Sequence, residues 1–210
     1  MKNCLWVFLF VLLYNVSGAQ VIVKKDPEIE SMIKEINADS LKANMYKLVS
    51  FGTRNTLSTQ GNATRGIGAA RRWILSRFNE YAKQSEGRLT AFIDTVTYIS
   101  DGKRVNRPIN LGNVVATLKG TDPNDHRIFI MSGHMDNMRT SVMDSVGDAP
   151  GANDDGSGTV AVMECARVMS KHKFPATIIF VTVAGEEQGL LGAYFMAKKA
   201  KKENWAVEAV

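Results

Sequence analysis

The sequence predicts an α/β domain built on a mixed, largely parallel central sheet flanked by helices. Three observations carry this. From Arg127 onward the chain reads strand, loop, helix, strand, loop, helix, which is the order of a βαβ unit. Ala176-Thr177-Ile178-Ile179-Phe180-Val181-Thr182-Val183 is a β-branched, mostly apolar run, suited to a central strand covered on both faces. The segments between strands carry apolar residues at one-face helical spacing.

Taken in order, Ile29, Met32, Ile33 and Ile36 predict a first helix, with Pro27 in its opening turn. Asn37-Ala38-Asp39-Ser40 marks a break and a fresh cap, and Leu41, Met45, Leu48 and Val49 form a second stripe. Both stripes are expected to face the core. Phe51 to Gly68, rich in Gly, Thr, Ser and Asn, reads as loop. Ile67, Ala70, Ile74, Phe78 and Tyr81 predict a third helix, with Arg71, Arg72 and Arg77 on its outer side. Strands are expected over Arg88 to Tyr98, Asn113 to Leu118 and Arg127 to Met131, then a helix over Gly158 to Met169. After the Ala176 to Val183 strand, Leu190 to Lys202 is a last helix.

With 210 residues, 45% hydrophobic and 22% charged, the chain has material for one domain with a substantial core. The net charge of +5 owes much to Arg71-Arg72 and to the lysines between Lys198 and Lys202. Such runs on helices are solvated faces, and no basic stripe interleaved with aromatics points to nucleic acid. Residues 1–19 read as a secretory signal: Lys2, an apolar Leu5 to Tyr14, then Ser17-Gly18-Ala19 before Gln20. The apolar run is too short to span a bilayer, which needs roughly 20 residues. The mature protein is therefore expected to be secreted or periplasmic, without stable membrane insertion. Cleavage leaves Cys165 as the remaining cysteine, on an apolar helix face, so no internal disulfide is expected.

Ligands of open α/β sheets bind at the carboxyl ends of strands. Three acidic motifs fall at such ends: Ser132-Gly133-His134-Met135-Asp136, Pro150-Gly151-Ala152-Asn153-Asp154-Asp155-Gly156-Ser157-Gly158 and Ala184-Gly185-Glu186-Glu187-Gln188-Gly189. Alone, each has an ordinary reading: a structural His, acids at a helix start, a solvated loop. In this order, at three strand exits, they describe one metal site. Zinc takes His, Asp or Glu, and paired zinc ions sit roughly 3.5–4 Å apart with an anion between them. Asp154 suits the bridge, His134 a ligand of one ion and Glu187 a ligand of the other. Asp136 suits a partner orienting His134. Glu186, left over beside Glu187, suits the general base of a hydrolysis. His126 and His172 are assigned no role at the site.

Jointly these motifs, extended to Leu190-Leu191-Gly192, resemble the zinc exopeptidases related to secreted bacterial leucyl aminopeptidases and aminopeptidase Y. Leu48-Val49-Ser50-Phe51-Gly52-Thr53-Arg54 resembles that family's opening. The resemblance implies the phosphorylase/hydrolase-like zinc exopeptidase fold and two zinc ions. Its implied ligands are His134, Asp154 and Glu187, with Glu186 as base and Asp136 orienting His134. It also implies a peptide substrate and a cis Asp154–Asp155 peptide. Glutaminyl cyclase and glutamate carboxypeptidase relatives, and a non-catalytic receptor-like domain, are the alternatives. The family uses two further ligands, an aspartate on a next strand and a later histidine. Trp205 to Val210 resembles the start of that strand, and Glu208 does not match the aspartate. Residues 20–210 are thus expected to be the N-terminal portion of a single catalytic domain. Such a portion is expected to bind zinc poorly and to leave the Ala176 to Val183 strand with an unpaired edge.

Overall fold

The structure, a computed structural model, describes residues 24–210. The expected signal over residues 1–19, with Cys4, lies outside the described residues. The chain divides into a short N-terminal unit ending at Ile33 and a larger unit, Lys34–Val210. In the short unit Lys25 and Glu30 pair at 3.2 Å. Helix α1 (Pro27–Glu35) forms where its spacing predicts but buries no residue, and Ile29, Ile33 and Ile36 are more than half exposed. The expectation of a core-facing stripe fails there. Spacing specifies which residues share a helix face, not whether another element covers it.

The larger unit runs α2 (Ala38–Val49), α3 (Gly66–Ala82), β1 (Leu89–Tyr98), β2 (Ile109–Leu118), β3 (Arg127–His134), a π-type turn at Ala152–Ser157, α4 (Gly158–Met169), β4 (Thr177–Val183), α5 (Leu191–Lys202) and β5 (Ala206–Ala209). Asn37 caps α2, its side chain accepting from the Ser40 N–H at 2.9 Å. The sheet order is β1-β2-β4-β3-β5. β1 with β2 and β2 with β4 pair antiparallel, whereas β3 with β4 and β3 with β5 pair parallel.

β4 is therefore central. Val181 stands opposite Val115 of β2, and Phe180 opposite Met131 of β3. This corrects the expectation of an unpaired edge at Ala176 to Val183. The crossover through α4 inserts β4 between β2 and β3, so sequence order and spatial order differ. The outer position beyond β3 belongs to β5, all of whose residues are exposed.

Strand alternation divides the core between the two sheet faces. Ile178 and Phe180 of β4 join Val114, Ala116 and Leu118 of β2 against Ile67, Ile74 and Phe78 of α3 and Val160 and Met163 of α4. Ile179, Val181 and Val183 face the other way, with Val115 and Met196 of α5. Cys165 packs half-buried against the first cluster, and burial raises its thiol pKa, as for a small hydrophobe rather than a nucleophile. Arg71 departs from its expected outer position. It is buried, lies where a Gly112 side chain would be, and donates to Gln60 Oε1 at 2.7 Å. The missing side chain at Gly112 makes room for it.

Glu164 ties α4 to the start of α2. Its carboxylate accepts from Arg167 Nε at 2.9 Å and Nη2 at 2.6 Å, and from the Asn37 N–H at 2.7 Å. Burial pushes its pKa up, but the Arg167 and Asn37 hydrogen bonds outweigh it and hold the carboxyl below its ordinary 4.5. Stability from such a group is complete above the unfolded value and is lost as pH falls through the lower folded one. The melting temperature is expected to drop on acidification below about pH 4.5, less steeply in Glu164→Gln. Thermal melts of both proteins across that range check this.

Candidate metal centre

β3 and β4 are parallel neighbours, so their carboxyl ends leave the sheet on the same side, with His134 opposite Val183. That register brings the loop after His134 beside the loop after Val183. The third loop reaches them through Asp155, whose Oδ2 accepts the His134 N–H at 2.9 Å while Oδ1 accepts the Gly158 N–H at 2.7 Å. Thr159 Oγ1 adds a bond to the His134 carbonyl at 2.9 Å. Strand β3 and the N-terminus of α4 are thus stitched together at the histidine.

This contact requires Gly133. A Cβ there would lie 2.8 Å from the Gly158 carbonyl carbon and 2.9 Å from its oxygen, both backbone. Gly133→Ala must push β3 from α4, at a cost of about 1–3 kcal/mol. A lowered melting temperature together with weakened metal binding is the expected result, read by thermal melts and metal titration.

His134, Asp154 and Glu187 each offer a donor atom, all within 4.8 Å of one another. His134 Nε2 lies 3.1 Å from Asp154 Oδ1 and 4.0 Å from Glu186 Oε2. The peptide between Asp154 and Asp155 is cis. On the other side of the ring, His134 Nδ1 lies 3.2 Å from the Asp136 carbonyl and 3.6 Å from its Oδ1. Asp136 faces the ring with both groups, the main-chain oxygen being nearer. Its carboxylate, completely buried, also accepts the Glu186 N–H at 3.3 Å, the Glu187 N–H at 3.2 Å and the Thr56 hydroxyl at 3.1 Å. One side chain thereby joins the first motif to the third.

The electrostatics describe excess negative charge. Burial pulls His134 down, but the hydrogen bond and charge of Asp136 and the charges of Asp155 and Glu186 override it, to about 9. Glu187 is pushed up by burial and then by Asp136 and Asp154. A divalent cation among these donors relieves both effects. The donor set is one that zinc takes, and these three side chains would hold it.

The comparisons with known proteins agree. The sequence profile of peptidase family M28 matches residues 113–210, the span holding all three motifs. Residues 113–210 are thus similar to peptidase family M28. A probable zinc metalloprotease of Leptosphaeria maculans is 46% identical over 88% of this chain and 42% of its own. One from Pyrenophora teres f. teres is 44% identical over 93% of this chain and 40% of its own. The chain thus spans about two fifths of the length of these curated relatives. Among solved structures, the Legionella pneumophila LapA aminopeptidase superposes with a TM-score of 0.67 at 27% identity, covering 90% of this chain and 45% of LapA. A Fimbriiglobus ruber glutaminyl cyclase shares the fold, with a TM-score of 0.63 at 16% identity, covering 89% of this chain and 60% of its own.

Other polar residues around the three motifs were not legible beforehand. Thr56 bonds Asp136 and accepts the Gly185 N–H at 2.9 Å, from a loop whose residues Thr53 to Ser58 are all buried. Arg54 and Arg104 hold loop carbonyls around the site. Composition alone read the first stretch as ordinary loop, and surface loops are the usual case.

Proposed function

We propose that this chain is part of an exported zinc aminopeptidase that removes N-terminal residues from peptides. The observation that carries the reading is the meeting of His134, Asp154 and Glu187 donors at the carboxyl edge of the sheet, with Glu186 beside them. On this reading His134, Asp154 and Glu187 would hold the zinc, with Asp154 shared between two ions, His134 contributing to one and Glu187 to the other. Zinc held there would supply Lewis-acid polarisation and charge neutralisation for hydrolysis. Asp136 holds the His134 ring so that Nε2 faces the donors. Glu186, 4.0 Å from His134 Nε2, is the base in this reading, taking a proton from the attacking water and returning it to the leaving amine.

The M28 match supports hydrolysis of peptides, and the likeness to the LapA aminopeptidase supports the amino-terminal end as the point of attack. Export rests on the signal pattern of residues 1–19, and N-terminal sequencing of the secreted protein at Gln20 tests it. Among the described residues no helix is long and apolar enough to cross a membrane. The functional test is hydrolysis of aminoacyl amides by a chain of the relatives' full length, with loss on chelation and return on zinc. Cyclisation of N-terminal glutamine in place of hydrolysis would move the assignment to the cyclases, and cleavage only at a free carboxyl end to the carboxypeptidases. No activity with zinc bound would leave a binding domain.

A further inference from the structure

Every ligand-bearing loop is also held by an arginine that touches no ligand side chain. Arg54, 1% exposed, donates from Nε to the Met135 carbonyl at 2.8 Å. Its Nη1 reaches the carbonyls of Leu48 at 3.1 Å and Pro150 at 3.0 Å, and Nη2 that of Gly151 at 2.8 Å. Its own N–H donates to Asn137 Oδ1 at 2.9 Å, and Asn137 Nδ2 donates to the Ala149 carbonyl at 2.7 Å. The loop leaving His134 and the loop approaching Asp154 therefore share one planar group. The third loop is held separately. Arg104 donates from Nε to the Glu187 carbonyl at 3.0 Å, and also from Nη2. Its turn is pinned by Asp101, whose Oδ1 accepts the N–H groups of Lys103, Arg104 and Val105, with Val105 fully buried.

The guanidinium bonds of Arg54 and Arg104 all go to main-chain carbonyls, so they set where the loops sit while leaving the carboxylates open. A guanidinium offers five donors in a rigid plane, which a lysine ammonium cannot reproduce. Burial lowers Arg54 to about 10, against the raising charges of Asp136 and Asp155, so it remains a cation near neutral pH. That cation offsets part of the repulsion among carboxylates brought together without metal.

We propose that Arg54 and Arg104 are positioning residues of the metal centre, Arg54 setting the spacing of His134 and Asp154 and Arg104 that of Glu187. The proposal rests on the metal-centre reading above. The test is cobalt titration of a chain of the relatives' full length, following the visible absorption band and the affinity, with thermal melts of the metal-free proteins. The variants are Arg54→Lys, Arg104→Gln, His134→Ala and a core substitution, Phe78→Leu, as a stability control. Arg104 is exposed, so Arg104→Gln is expected to fold with an unchanged melting temperature yet bind cobalt roughly 10–100-fold more weakly, with an altered band. Arg54→Lys is expected to lose as much affinity, and more than Phe78→Leu at a comparable loss of stability. Wild-type affinity and band in folded Arg104→Gln, or equal losses in Arg54→Lys and Phe78→Leu, would overturn the positioning role. Absence of cobalt binding in the wild type, or binding unaffected by His134→Ala, would instead overturn the metal-centre reading, and this proposal with it.

Discussion

Glu186→Gln is expected to keep its metal and lose turnover, by roughly 10²–10⁴-fold, the usual contribution of a general base. The amide matches the carboxylate in size and leaves the Glu186 N–H bond to Asp136 in place, so the loop need not move. What it cannot do is accept a proton from water. Glu187→Ala is expected to behave differently. Glu187 is buried, its donor lies within 4.8 Å of those of His134 and Asp154, and its removal takes away a ligand. Zinc content measured beside hydrolysis of an aminoacyl amide, in a chain of the relatives' full length, separates the two. Equal metal loss in both variants would refute the division of roles between these adjacent glutamates.

Arg167→Met is expected to cost about 3–5 kcal/mol of stability, because it strands the Glu164 carboxylate in the interior. The Glu164 side chain is 3% exposed, and Arg167 is its only cationic partner among the contacts described above. Adding Glu164→Gln should recover much of that loss. The glutamine oxygen can still accept the Asn37 N–H, and no unpaired charge then remains. Chemical denaturation of the single and double variants measures both numbers. A double variant no more stable than Arg167→Met would show that the arginine stabilises through packing rather than charge.

Most of the elements were legible because their signals are local. Gly158–Met169 follows its apolar spacing to the residue, and β4 begins one residue after the predicted start. β2 begins four residues before the expected Asn113, since Ile109 to Gly112 acquire strand geometry by pairing with Thr95 to Tyr98 of β1. Such pairing is a tertiary fact. So is the covering of Arg71 by the space over Gly112, which no helical wheel contains.

The sequence by itself determined which residues could make a site: a histidine, an aspartate and a pair of glutamates, each following a strand-forming run or opening a helix. Side-chain chemistry and local period are properties of short stretches, so they are readable there. The tertiary structure alone decided that β4 sits between β2 and β3, because strand order depends on which long-range pairings win. It also decided that Asp136 bonds the Glu186 and Glu187 amides, and that Arg54 grips carbonyls at Met135, Pro150 and Gly151. Those bonds join residues far apart in the chain. Only folding brings a buried donor to the carbonyl that must satisfy it.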